Sequence, residues 1–105
     1  MCYNVEISQA AEFEMNEIAR YISDELHAPQ DALNLMREIC LQIRSLNQMP
    51  NRFALVSNKR LAKMGIRLIP VKNYNIFYTV DEHSKTVKIV SVMYGKRDWI
   101  SLLRS

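Results

Sequence analysis

The hydrophobic period of this chain changes once, and that change restricts the fold more than any single motif. Between Ala11 and Leu46 the apolar residues recur at helical spacing, whereas from Gly65 onward they alternate with the period of a strand. Ala11, Met15, Ile18 and Ile22 form one stripe, and Ala32, Met36, Ile39, Ile43 and Leu46 form a second. Ser8 offers an oxygen to the unpaired amides of the first helix. Glu12, Glu14 and Glu17 lie toward its positive end, and the helix is predicted to run to about Glu25. Pro29 suits the first turn of the second helix, where a missing amide costs little, and Met49-Pro50 stops it. The short link Leu26-His27-Ala28 forces the two helices back on each other as an antiparallel hairpin. The stripes last too few heptads for a coiled coil, so both must be buried in a common layer.

The layer that buries them is built from strands. Tyr3, Val5 and Ile7 alternate with polar residues in a short first strand. Ile66–Val71, Tyr74–Val80 and Thr86–Tyr94 are predicted as three more, joined by a tight Lys72-Asn73 connection and an Asp81–Lys85 turn. Tyr74, Ile76, Tyr78 and Val80 share one side of the second of these. Asn51 to Met64 has no clear period and reads as a connecting segment carrying Arg52, Lys59, Arg60 and Lys63. Beyond Gly95, Asp98 is a candidate N-cap for a last short helix burying Trp99, Leu102 and Leu103. The order is β-α-α-β-β-β. It predicts an α+β two-layer sandwich, with the helical hairpin on one face of a four-stranded, mainly antiparallel sheet and the other face available to a ligand.

Composition narrows the function. The 105 residues fit one domain spanning 1–105, and with 49% hydrophobic residues a folded core is expected. Two glycines are too few for a Gly-rich phosphate loop. Cys2 and Cys40 lack metal-ligand or redox-pair spacing, so both thiols are read as reduced, which points to the cytoplasm. No secretory leader or bilayer-spanning apolar run is visible, so no membrane partner is expected. His27 and His83 fall in separate loops, and Ser57, Ser91 and Ser101 lack a nucleophile-elbow context. No metal and no cofactor are implied.

Charge is unevenly distributed. Residues 1–50 carry three basic and eight acidic side chains, net −5, while residues 51–105 carry eleven basic and three acidic, net +8. The basic half either meets an anionic partner, nucleic acid or an acidic protein segment, or is a solvated face partly neutralised by the acidic helices. Gly95-Lys96-Arg97-Asp98 follows the last strand. There an Arg fork beside a Lys point charge can grip a phosphate, or Arg97 can pair with a helical carboxylate in an ordinary capped turn. Arg67 shares the parity of Ile69 and Val71; it can meet a phosphate or a partner carboxylate, or form an ion pair with a glutamate of the first helix. Tyr74, Tyr78 and Tyr94 can stack on bases or pack within the sheet.

Three patterns carry a resemblance: Ala11 to Ile22, the run from Gly65 to Val71 leading into Asn73–Tyr78, and Val90-Ser91-Val92-Met93-Tyr94-Gly95-Lys96-Arg97-Asp98. Together they resemble the RelE/ParE toxin superfamily of type II toxin–antitoxin (plasmid stabilisation) systems. RelE-like members cut messenger RNA on the ribosome, and the resemblance would assign that chemistry to Arg67, Tyr94, Lys96 and Arg97. However, Asn75 stands where cleaving members often have Arg, and the chain ends Leu102-Leu103-Arg104-Ser105 without their C-terminal Tyr. ParE-like members are more similar in Arg67, in Tyr74 and Tyr78, and in Arg97-Asp98 with its Leu-Leu tail, although Tyr94 replaces their usual His. The ParE resemblance implies a toxin that binds and inhibits DNA gyrase. Arg67, Tyr74, Tyr78, Tyr94, Lys96, Arg97 and Asp98 would then be contacts to the target or to a cognate antitoxin that wraps the toxin. The basic half with its apolar strand faces suits such a partner.

Overall fold

The computed structural model describes residues 2–95 and 102–103. Lys96, Arg97, Asp98 and Trp99, with the cap and phosphate-grip roles assigned to them above, lie outside the described residues. The chain runs β1 (Asn4–Ile7), α1 (Gln9–Arg20), a wider π-type turn (Tyr21–Glu25), α2 (Pro29–Ser45), a 3-10 turn (Pro50–Arg52), α3 (Lys59–Lys63), β2 (Arg67–Val71), β3 (Tyr74–Asp81) and β4 (Thr86–Tyr94). Leu102 and Leu103 are helical. The predicted helical hairpin and four strands are all present. The sheet order is β1-β4-β3-β2, with β1 parallel to β4 and the other pairs antiparallel.

Local chemistry explains where the hairpin begins. Ser8 has an extended backbone and its Oγ accepts from the Ala11 amide at 3.0 Å, capping α1. The same hydroxyl donates to the Val90 carbonyl at 3.0 Å, so the cap also pins the helix start to β4. Ala11 is fully buried at this junction, where a small side chain lets the helix approach the sheet. Pro29 opens α2, and Ala32, Leu35, Ile39 and Ile43 bury its inner stripe against Ile69, Ile76, Tyr78, Val87, Ile89 and Val92 of the sheet.

The second sheet face differs from expectation, because part of it is covered. Val56, Leu61, Ile66, Phe77 and Met93 form a second buried cluster, with Leu68 and Leu103 packed against it. Phe77, Met93 and Leu68 are apolar residues of the opposite parity to the main core; leaving them in water would forfeit roughly 1.5–3 kcal/mol each, so the chain between α2 and β2 folds over them. That segment, read from the sequence as a plain connection, contains α3. Asn58 Oδ1 accepts from the Leu61 amide at 3.1 Å to start the helix, and Gly65 ends it at φ +81°.

β4 carries a bulge. Phe77 pairs with Ser91 and Tyr78 with Ile89, leaving Val90 unmatched, so inward-facing residues step from Val87 and Ile89 to Val92. β2 is an edge strand, and Pro70 on it is exposed and has no amide with which to recruit another strand.

Candidate functional site

The sequence-predicted residues separate into two groups at opposite ends of the sheet. At one end, Arg67 and Tyr78 are cross-strand partners. Tyr78 is fully buried, and its hydroxyl donates to the Pro50 carbonyl at 2.6 Å. Burial raises its pKa, against the lowering charges of Arg67 and Arg52. Arg67 donates from Nη1 to the carbonyls of Phe53 at 2.5 Å and Asn51 at 3.3 Å. The glutamates of α1 are not its partners: the guanidinium instead clamps the turn after α2. Arg52 completes that closure, donating to the Ser45, Gln48 and Met49 carbonyls and lying 4.9 Å from the centre of the Phe53 ring. The Ser45 and Met49 carbonyls also accept the Gln48 and Arg52 amides, so the guanidinium is a second donor there, and its fork serves several acceptors of the turn at once.

Beside this clamp, Glu82 accepts from the Tyr3 hydroxyl and from Asn51 Nδ2, both at 2.6 Å, and from Lys85 Nζ at 3.3 Å. Those donors hold its carboxyl down at about 2, with the Tyr3 hydrogen bond the largest cause. The cluster ties the N-terminal residues, the turn after α2 and the β3–β4 turn together.

At the other end, Tyr74 and Tyr94 sit opposite each other and their rings meet edge to face, 5.5 Å between centres at 62°. Burial, then the neighbouring Tyr94 and Tyr21, raise the Tyr74 hydroxyl above the ordinary phenol range. These tyrosines form one wall of an open groove of about 740 Å³ between α1 and the end of β4. Phe13, Glu14, Glu17 and Tyr21 of α1 and its following turn line the opposite wall. Glu14 Oε1 accepts from the Ser91 hydroxyl at 2.8 Å and the Val92 amide at 3.1 Å, which satisfies the strand just past the bulge. Gly95 leaves the sheet here with its amide on the Asn73 carbonyl at 2.7 Å; a Cβ at this position would come within 3.1 Å of that same oxygen. A smaller hollow beside it is lined by Lys72, Asn73 and Asn75.

Arg67 and Tyr94 are therefore not brought together: Arg67 lies four residue steps along β2 from Val71, whose partner Tyr74 faces Tyr94, or about 13 Å. Sequence reasoning missed Phe13, Glu14, Tyr21 and Lys72 as residues of this end. The outward spacing of Phe13 and Tyr21, two large aromatics on the polar side of an amphipathic helix, was the available signal. Among the described residues no group of three or more His, Cys, Asp or Glu side chains could hold a metal ion. No helix among them is long and apolar enough to cross a membrane.

Comparison with known proteins places this geometry. The chain superposes on a structure of the chromosomal ParDE toxin–antitoxin system from P. aeruginosa with a TM-score of 0.71 at 18% identity, over 89% of this chain and 96% of that one. It superposes on the RelBE2 toxin–antitoxin complex from Mycobacterium tuberculosis with a TM-score of 0.65 at 16% identity, covering 90% and 99%. A mutant of the E. coli toxin RelE in the free state gives 0.67 at 12% identity, covering 97% and 93%. A search by sequence among curated proteins finds no match. At such low identity the structural likenesses establish the fold alone, and the family rests on a sequence model of the ParE toxin of type II toxin–antitoxin systems, which matches residues 5–99. Because that match spans nearly the whole chain, this protein belongs to the ParE toxin family within the RelE/ParE superfamily.

Proposed function

We propose that this chain is the ParE-like toxin of a type II toxin–antitoxin pair, that it arrests growth by binding and inhibiting DNA gyrase, and that a cognate antitoxin holds it inactive. The observation that carries the reading is the use made of Arg67. A ribonuclease would need Arg67, Tyr94, Lys96 and Arg97 around one scissile phosphate, where cationic groups stabilise charge that develops in the transition state. Arg67 instead spends its guanidinium on the Phe53 and Asn51 carbonyls, far along the strand from Tyr94. That arrangement favours a binding surface over a catalytic centre. The family match and the solved complexes of similar fold support a protein antitoxin as partner.

On this reading Tyr74 and Tyr94 contribute contact area at the carboxyl end of β4, with Lys96, Arg97 and Asp98 proposed as charged contacts that follow it. Purified chain added to gyrase is expected to block supercoiling and accumulate cleaved DNA, and the product of an adjacent gene is expected to relieve the block. Codon-phased cuts in cellular messages after induction, with supercoiling intact, would replace this reading with the ribosome-dependent nuclease. An intact complex with the neighbouring product and no growth arrest in any host would identify a decayed, antitoxin-binding module.

A further inference from the structure

We propose that the groove between α1 and the end of β4 is a cation-selective receptor for an arginine- or lysine-bearing extended segment of a protein partner. Its chemistry does not depend on which target the toxin inhibits.

Phe13 and Tyr21 are 65% and 53% exposed, although they sit on a helix whose inner stripe already fills the core. Tyr21, Tyr74 and Tyr94 come from three different elements and line the same hollow. An aromatic lining of this kind attracts a guanidinium or ammonium through the negative faces of its rings. The carboxylates point the same way. Glu14 and Glu17 line the groove, and Asp24 and Glu25 continue it along the π-type turn, with Arg20 the one cation among them. Glu14 cannot swing away, because Ser91 and Val92 hold its Oε1. Glu17 is paired with Arg20, but that pair is exposed and on one helix face, so an incoming cation competes with it at little cost.

Shape selects among cations. A divalent metal finds no cluster of ligands among the described residues, and a phosphate backbone is repelled by the carboxylates. A planar guanidinium can stack on a tyrosine while its edge meets a carboxylate. β1 ends opposite Ile89, and past that point Ser8 and Glu14 already occupy the Val90 carbonyl and the Val92 amide, so a segment in the groove is recognised through its side chains and not by strand pairing with β4. The basic half of the chain suits an acidic partner segment, whereas this groove, whose carboxylates come from the acidic half, demands the opposite sign. A partner occupying both surfaces must therefore carry segregated charge.

The test uses the purified chain and fluorescein-labelled hexapeptides of alternating Leu and Arg, Leu and citrulline, and Leu and Glu, with a single-stranded oligonucleotide as the anionic competitor class. Fluorescence anisotropy is expected to show binding of the Arg peptide that weakens with salt, about tenfold weaker binding of the citrulline peptide, and none of the Glu peptide or the oligonucleotide. Tyr21→Leu is expected to lower affinity for the Arg peptide about fivefold, while Tyr21→Phe retains it and Glu17→Gln lowers it about threefold. Titrating the unsubstituted chain and following its tyrosine resonances guards against variants that fold poorly: Tyr21, Tyr74 and Tyr94 must move together. Equal affinity for the citrulline peptide, preference for the Glu peptide or oligonucleotide, or resonance shifts confined to the basic half would each overturn the proposal.

Discussion

The two ends of the sheet carry similar residues and use them in opposite ways. At the Arg67 end a guanidinium and a phenol turn inward and saturate the carbonyls of the turn after α2. At the Tyr94 end two phenols of the same sheet meet each other, and Tyr94 keeps 38% of its surface in water. An arginine or tyrosine in a strand is thus no marker of function by itself. What separates a structural group from a recognition group is whether the chain's own backbone already satisfies it, since a buried polar group must be paired and an exposed one need not be.

The largest test of this contrast is Tyr78. Tyr78→Ala empties a fully buried site and is expected to cost about 3–5 kcal/mol, enough to unfold a marginal domain; Tyr78→Phe removes only the bond to Pro50 and should cost about 1 kcal/mol. Chemical denaturation measures both. If Tyr78→Phe kept full stability but abolished toxicity, the inward end would be a functional end after all.

Next in size is Arg67. Arg67→Ala leaves the Phe53 and Asn51 carbonyls without that donor and is expected to destabilise by about 1.5–3 kcal/mol, with faster amide exchange in residues 50–56. Growth arrest by the surviving folded fraction should persist. A smaller effect is expected at the opposite end: Tyr94→Ala breaks the edge-to-face pair with Tyr74 and should cost only about 0.5–1.5 kcal/mol, yet weaken partner binding more than Arg67→Ala does. Reversal of that ranking in paired melting and binding measurements would undo the comparison.

The smallest effect concerns pH. The Glu82 carboxyl is held at about 2 in the folded chain, below its ordinary 4.5. Its contribution is therefore fully present above pH 4.5 and is lost as pH falls toward 2. Melting temperature should drop across that window less steeply in Glu82→Gln than in the parent chain. The carboxylate is exposed, so the difference should be modest and should shrink further in high salt.

Much of the fold was legible because periodicity is a local property. Thr86–Tyr94 was read with the bounds observed, and Ala32, Ile39, Ile43 and Leu46 were all read as core. α3 escaped because five residues show no helical period, although Asn58 before it and Gly65 after it are ordinary start and stop signals. The bulge at Val90 left a trace in the shift of inward residues from Ile89 to Val92, but only β3 shows which residue is unmatched. The site was less legible. Tyr74 and Tyr94 were singled out, but as one tyrosine set with Tyr78, which the sheet consigns to the core.

From the residues alone came the alternation of two helices with a strand meander, the family resemblance and the separation of charge between the halves. Tertiary structure alone decided that Arg67 serves a turn, that Glu14 serves a strand 77 residues away, and that Phe13, Tyr21, Tyr74 and Tyr94 share one groove. The physical reason is range. Burial pattern follows from neighbours three or four residues apart, whereas the partner of a polar side chain is whichever distant carbonyl or amide the folded chain brings within about 3 Å.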